Sequence, residues 1–155
     1  MNSDRIKPLN SFKFNGSSVC YWMQRDKRVQ DNWALIHAQD LALKNKVPLY
    51  VCFTYLGKFE NANIRQYQFL FDGLKETSEK LNDKNIPFYL LNGDPVNEIS
   101  KFIEINNIGS LVTDFSPLKV YQNRVEKIAS KISIQFQQVD AHNIIPTWIA
   151  SEKQE

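Results

Sequence analysis

Short runs of apolar residues recur along this chain at 18–24, 48–55, 87–92, 110–114 and 134–140. Each is too short for a helix and apolar on both faces, the pattern of strands in a parallel sheet covered twice. Between them the apolar positions change to helical spacing. Leu35, Ala38, Leu41 and Ala42 share one face, and Ile64, Tyr67, Leu70, Phe71, Leu74 and Leu81 mark a longer helix. A third helix is expected to open at Asp94-Pro95, a capping residue followed by proline in the first turn, and to bury Val96, Ile99, Phe102 and Ile103. A fourth is expected to open in the same way at Ser116-Pro117 and to pack through Tyr121, Val125, Ile128, Ala129 and Ile132.

Strand-helix alternation with right-handed crossovers predicts a Rossmann-like, doubly wound α/β fold. The expected sheet has five parallel strands in the order 3-2-1-4-5, counted along the chain, with helices on both faces. Residues 1–15 read as a polar arm, 16–145 as the α/β domain and 146–155 as the start of a linker. Ligands of such sheets gather outside the carboxyl ends of the strands, where the winding reverses. That singles out the loops 24–31, 55–63 and 115–118.

Composition narrows the function. The 155 residues carry 19 basic and 17 acidic side chains, a net +2 that is too balanced for a strong phosphate-binding footprint, so DNA binding by this piece alone is expected to be weak. No apolar run approaches a membrane span and no hydrophobic signal core precedes Phe12, which predicts a cytoplasmic protein without a membrane partner. Cys20 and Cys52 lie inside apolar runs without metal or redox spacing and read as buried thiols. The five glycines, at 16, 57, 73, 93 and 109, form no phosphate-cradling pattern. No GxSxG turn or metal-spaced histidine pair is present, so neither a catalytic residue nor a metal site is assigned. His37 and His142 are isolated and read as structural or solvated. Trp22 reads as strand core, Trp33 as packing at a helix start and Trp148 as an anchor for the tail.

The informative segment is YWMQRDKRVQDNWAL, residues 21–35, in which an apolar strand ends in an Arg-Asp-Lys-Arg turn and Asp31-Asn32 begins a helix. It resembles the opening motif of the photolyase and cryptochrome superfamily: an aromatic-rich strand, R-D-x-R, then D-N and a helix. Its Tyr-Trp-Met-Gln-Arg-Asp form resembles the class II cyclobutane pyrimidine dimer DNA photolyases. VTDFSPL at 112–118 and VDAHNIIPTWIASEKQE at 139–155 fit the same family, in the same order.

The resemblance implies the N-terminal, antenna-type domain of an enzyme whose helical domain holds FAD and uses light to split pyrimidine dimers in damaged DNA. That helical domain is the implied partner, and it is missing from this chain. The chain alone is expected to bind no cofactor tightly and to lack the parent family's carbon–carbon lyase activity. In many members the N-terminal domain carries a crevice for a light-harvesting chromophore, an 8-hydroxy-5-deazaflavin or a reduced folate. Carried over position by position, Arg25 stands for the first-strand arginine, Phe53 for the second-strand aromatic and Asp114 for the fourth-strand acid. Ser116 stands where deazaflavin-binding relatives can carry a glutamate. Arg25 can stack or donate a fork of hydrogen bonds, Phe53 offers an apolar face and Asp114 can accept. The competing expectation is that Arg25 and Arg28 simply pair with Asp26 and Asp31 at the helix start. The alternatives for the whole chain are a stand-alone small-ligand or nucleotide-binding module of the same fold and a purely structural interaction domain.

Overall fold

A computed structural model describes residues 2–57 and 63–150. Its strands are β1 (Ile6–Pro8), β2 (Ser18–Met23), β3 (Leu49–Tyr55), β4 (Phe88–Asn92), β5 (Ile108–Asp114) and β6 (Gln135–Val139). Its helices are α1 (Trp33–Asn45), α2 (Ile64–Asn82), α3 (Pro95–Ile105), α4 (Lys119–Lys131) and the single turn α5 (Thr147–Ala150). Every residue of β2 and β5 is buried, as strands at the centre of a doubly covered sheet must be.

Among the described residues the sheet has six strands in the order β1-β6-β5-β2-β3-β4. β4, β3, β2, β5 and β6 run parallel, and β1 is antiparallel to β6 with Ile6 opposite Val139. The expected five-stranded, all-parallel sheet is therefore corrected to a six-stranded mixed one. The sixth strand comes from the stretch expected as a polar arm. Three residues carry no readable periodicity, and Pro8, which cannot donate to a ladder, is tolerated because β1 is an edge. The Arg5 guanidinium ties this strand down by donating to the carbonyls of Asp140, Asn143 and Ile144 at 2.7–3.0 Å.

Alternation along each strand builds two cores. Val19, Tyr21 and Met23 of β2 join Val51, Val112 and Val139 under α1, with Ala34, Leu35, Ala38 and Ala42 packed on them. Cys20, Trp22, Cys52, Leu111 and Phe136 face the other way, onto Ile99, Phe102 and Ile103 of α3 and Val125 and Ile128 of α4. The two thiols are free and buried, with their sulfurs 3.5 Å apart. β4, the other edge, departs from the expected burial on both faces, because Tyr89 and Leu90 have no neighbouring strand to share cover with and stay exposed.

The helix starts follow local chemistry. Asn32 caps α1, Asn63 and Gln66 form a reciprocal capping box on α2, and Asp94 with Pro95 opens α3 as the sequence predicts. The fourth helix differs: α4 begins at Lys119 behind Leu118, with no side-chain cap. Ser116 is buried before the helix, and its carbonyl accepts from the Gln122 side chain. No helix among the described residues is long and apolar enough to cross a membrane.

Candidate functional site

The crossovers reverse direction between β2 and β5, which lie side by side, so the loops leaving their carboxyl ends are free to part. Asp114, the last residue of β5, is fully buried and binds the loop that leaves β2. Its Oδ1 accepts from the Gln24 amide at 2.8 Å and the Tyr21 hydroxyl at 3.1 Å. Its Oδ2 accepts from the amides of Arg25 at 2.6 Å and Asp26 at 3.0 Å. Asn32 closes the loop from the other side. Its Nδ2 donates to the carbonyls of Asp26 and Arg28 and to the Tyr21 hydroxyl, while its Oδ1 caps α1 at the Leu35 amide. Burial and then the Asp114 charge push the Tyr21 phenol well up, so it stays protonated and remains a donor.

An apolar cleft of about 240 Å³ opens beside this loop at the carboxyl ends of β2 and β3. Trp22, Met23, Phe53, Tyr55, Tyr67, Leu70, Pro95 and Tyr121 give it hydrophobic and aromatic walls, and Lys27 and Arg124 bring charge. The Trp22 indole is fixed by donating to the Thr54 hydroxyl at 3.1 Å, and Tyr55 meets Phe71 edge-on with centroids 5.0 Å apart. Aromatic walls with few polar groups suit a flat, largely apolar ligand. Part of the expected loop 55–63, namely 58–62, lies outside the described residues.

Of the four residues expected at a binding site, Phe53 lines this cleft. The Asp114 side chain is engaged by the loop amides and the Tyr21 hydroxyl. Arg25, exposed on the loop that Asp114 anchors, and Ser116, buried just after β5, are not among the residues that line the cleft. The expected ion pairing holds for Arg28, whose Nε lies 3.4 Å from Asp26 and whose Nη2 donates to the Asp31 carbonyl. The sequence reads Tyr67 and Tyr121 as helix core and does not single out Lys27 or Arg124; all four line the cleft. Tyr121 and Arg124 are three apart on a helix, a spacing that puts a cation over a ring, here at 5.3 Å from its centroid.

The histidines are held in side-chain pairs. His37 Nε2 meets Gln137 Oε1 at 2.9 Å, and burial lowers its pKa. His142 Nε2 lies 3.3 Å from Asp26 Oδ2. Burial raises the Asp26 carboxyl above its ordinary range, against the opposing pull of His142 and Arg28. A carboxyl raised by folding contributes stability below its unfolded pKa and loses it as the pH rises through the folded value. Asp26→Asn is therefore expected to become more favourable relative to the parent chain between pH 4.5 and pH 7. Urea unfolding of both at the two pH values checks this, and an Asn variant that fares worse at pH 7 than at pH 4.5 contradicts it.

Residues 19–155 match the pattern of the DNA photolyase family. The chain belongs to that family. Against the deoxyribodipyrimidine photo-lyase of Potorous tridactylus this photolyase domain is 49% identical over 99% of its length, which is 30% of that relative. The Arabidopsis thaliana enzyme of the same name is 41% identical, matching 88% of this chain and 28% of its own length. The Methanothermobacter thermautotrophicus enzyme is 32% identical over the whole chain and 35% of its own length. The chain thus spans about a third of the relatives it matches, as an N-terminal photolyase domain does, which favours that reading over a stand-alone ligand module. The fold is shared with a bacterial class III photolyase from Agrobacterium tumefaciens, at a TM-score of 0.68 and 17% identity over 81% of this chain and 26% of that one.

Proposed function

We propose that this chain is the antenna-type domain of a class II photolyase whose complete form repairs cyclobutane pyrimidine dimers with light. The observation that carries the reading is the aromatic cleft beside the Arg25–Asp31 loop, at the point where the sheet's winding reverses. A deazaflavin or reduced folate fits its chemistry, with Phe53 as a ring face and Lys27 as a cation, and with Arg25 exposed on the adjoining loop. Asp114 acts there by holding the loop, and Ser116 by filling the space behind β5. When bound, such a chromophore supplies light absorption and passes the excitation on to a flavin.

FAD does not suit the same residues. No glycine-rich turn presents amides to a pyrophosphate. The catalytic flavin and the contact with damaged DNA therefore belong to a helical partner domain. Weak, salt-dependent association of this domain with DNA fits its balanced charge.

The division of labour is tested by illuminating the purified chain with dimer-containing DNA and FAD. No dimer loss above the protein-free control and no FAD retained through gel filtration are expected. Stoichiometric FAD or light-dependent repair by this chain contradicts the reading.

A further inference from the structure

The turn that leaves β6 is held from three directions, and one of its side chains reaches the loop beside the cleft. Buried Asp140 shapes it from within, its Oδ1 accepting from the amides of His142 and Asn143 and its Oδ2 from the Asn143 side chain and the Thr147 amide. The N-terminal stretch pins it to the domain. The Arg5 guanidinium donates to the carbonyls of Asp140, Asn143 and Ile144, the Arg5 carbonyl accepts from the Asp140 amide, and the Asp4 carbonyl accepts from the Trp148 indole at 2.8 Å. Phe115, just after β5, meets the Trp148 ring edge-on.

The third direction is the loop after β2. His142 Nε2 lies 3.3 Å from Oδ2 of Asp26, a buried oxygen that no aligned hydrogen-bond donor satisfies among the described residues. The other Asp26 oxygen faces Arg28 of the same loop, so among the described residues His142 is the partner that the Asp26 side chain takes from outside the loop. Asp26 also sits within the cradle that fixes the loop. Its amide donates to Asp114 and its carbonyl accepts from Asn32. The loop in turn lends Gln24 and Lys27 to the cleft wall. Polar contacts therefore run without a break from Arg5 through the turn and His142 to Asp26 and the edge of the cleft.

We propose that Arg5 is a positioning residue for the cleft: by pinning the turn after β6 it keeps His142 against Asp26, and so couples the path of the chain out of the sheet to the loop that flanks the cleft. The coupling belongs to this chain's own residues and does not depend on which ligand the cleft takes. It runs both ways, so a partner domain that displaces the turn loosens the loop, and a ligand that orders the loop tightens the turn. A guanidinium suits the task because its rigid fork of donors serves three carbonyls at once, which a lysine ammonium matches only in part.

Amide hydrogen exchange of the purified chain, followed residue by residue by NMR, tests the coupling. Arg5→Gln is expected to speed exchange about tenfold at His142, Asn143 and Thr147 and about threefold at Gln24, Arg25 and Asp26, with the β3 amides unchanged. Arg5→Lys should recover part of both effects. His142→Ala is expected to speed the same three loop amides about threefold while the turn, still pinned by Arg5, changes less. The double variant should show no further gain at the loop, because both substitutions remove one contact. Faster exchange at the turn with the loop unchanged, or loop effects that add in the double variant, overturns the coupling. If Arg5→Gln speeds β3 as well, the fold itself has loosened and His142→Ala decides alone: a loop it leaves unchanged overturns the proposal.

Discussion

Asp114→Ala is expected to destabilise the domain by about 3 kcal/mol or more, because it strands several donors in a site closed to water. The carboxylate accepts from three consecutive amides and from Tyr21, and all of these bonds but the part-buried one from the Arg25 amide are buried. A buried donor left unpaired costs about 1–3 kcal/mol, and relaxation of the loop recovers part of the sum. For a chain of this size the loss corresponds to roughly 10 °C in Tm. Asp114→Asn keeps the shape but turns one acceptor into a donor facing other donors, so it should fall between the parent and the alanine variant. Urea unfolding with an unchanged m-value is the check. A loss under about 1 kcal/mol for Asp114→Ala would show that the loop is held by other means.

The second large effect concerns two glycines that touch. A Cβ on Gly109 would sit 2.6 Å from the Gly16 nitrogen, 2.8 Å from a ring carbon of Phe14 and 2.9 Å from the Asn15 carbonyl carbon. One on Gly16 would sit 2.5 Å from the Gly109 nitrogen. These are mostly backbone atoms, held where they are by the Asn15 amide on the Gly109 carbonyl and the Ser17 amide on the Asn107 carbonyl. Gly109→Ala must therefore lift the segment that leads into β2 away from β5, at an expected cost of about 3 kcal/mol, the upper end for overpacking. Gly73 provides the contrast. It lies inside α2 with open space where a Cβ would go, so Gly73→Ala is expected to stabilise by about 0.5–1 kcal/mol through helix propensity. Thermal and urea unfolding of the two variants should move in opposite directions. A neutral Gly109→Ala would contradict the close packing of the two segments.

What could be read in the sequence divides along physical lines. The parallel strands and their helices are written in local periodicity, so Val19, Tyr21 and Met23 announce one buried face and Ile99, Phe102 and Ile103 another. The first strand is not legible, because Ile6–Pro8 is too short to show a period and exists through pairing with residues more than 120 positions away. The Ser116-Pro117 signal places the start of α4 two residues too early, because Ser116 is buried ahead of the helix and Leu118 stands at its uncapped start. Asp114 and Arg25 stand out as motif residues. That the Asp114 carboxylate engages the backbone amides of the loop after β2 is fixed by how β5 ends beside β2, which no local pattern encodes. Lys27 and Arg124 lie 97 positions apart, and only the folded sheet edge brings them to one cleft.

Fluorescence titration of the purified chain with 8-hydroxy-5-deazariboflavin and, separately, with a reduced folate tests the central claim most directly when repeated on Phe53→Ala. Phe53 is nearly buried, forms part of the cleft wall and carries Lys27 above its ring. Removing it takes away both an aromatic face and the support of the cation, worth about tenfold in affinity for a stacked ring. Saturable binding of one chromophore by the parent chain, weakened about tenfold in Phe53→Ala with the fold intact by circular dichroism, is the predicted result. Binding that Phe53→Ala leaves unchanged, or no binding of either chromophore by the parent chain, would contradict it.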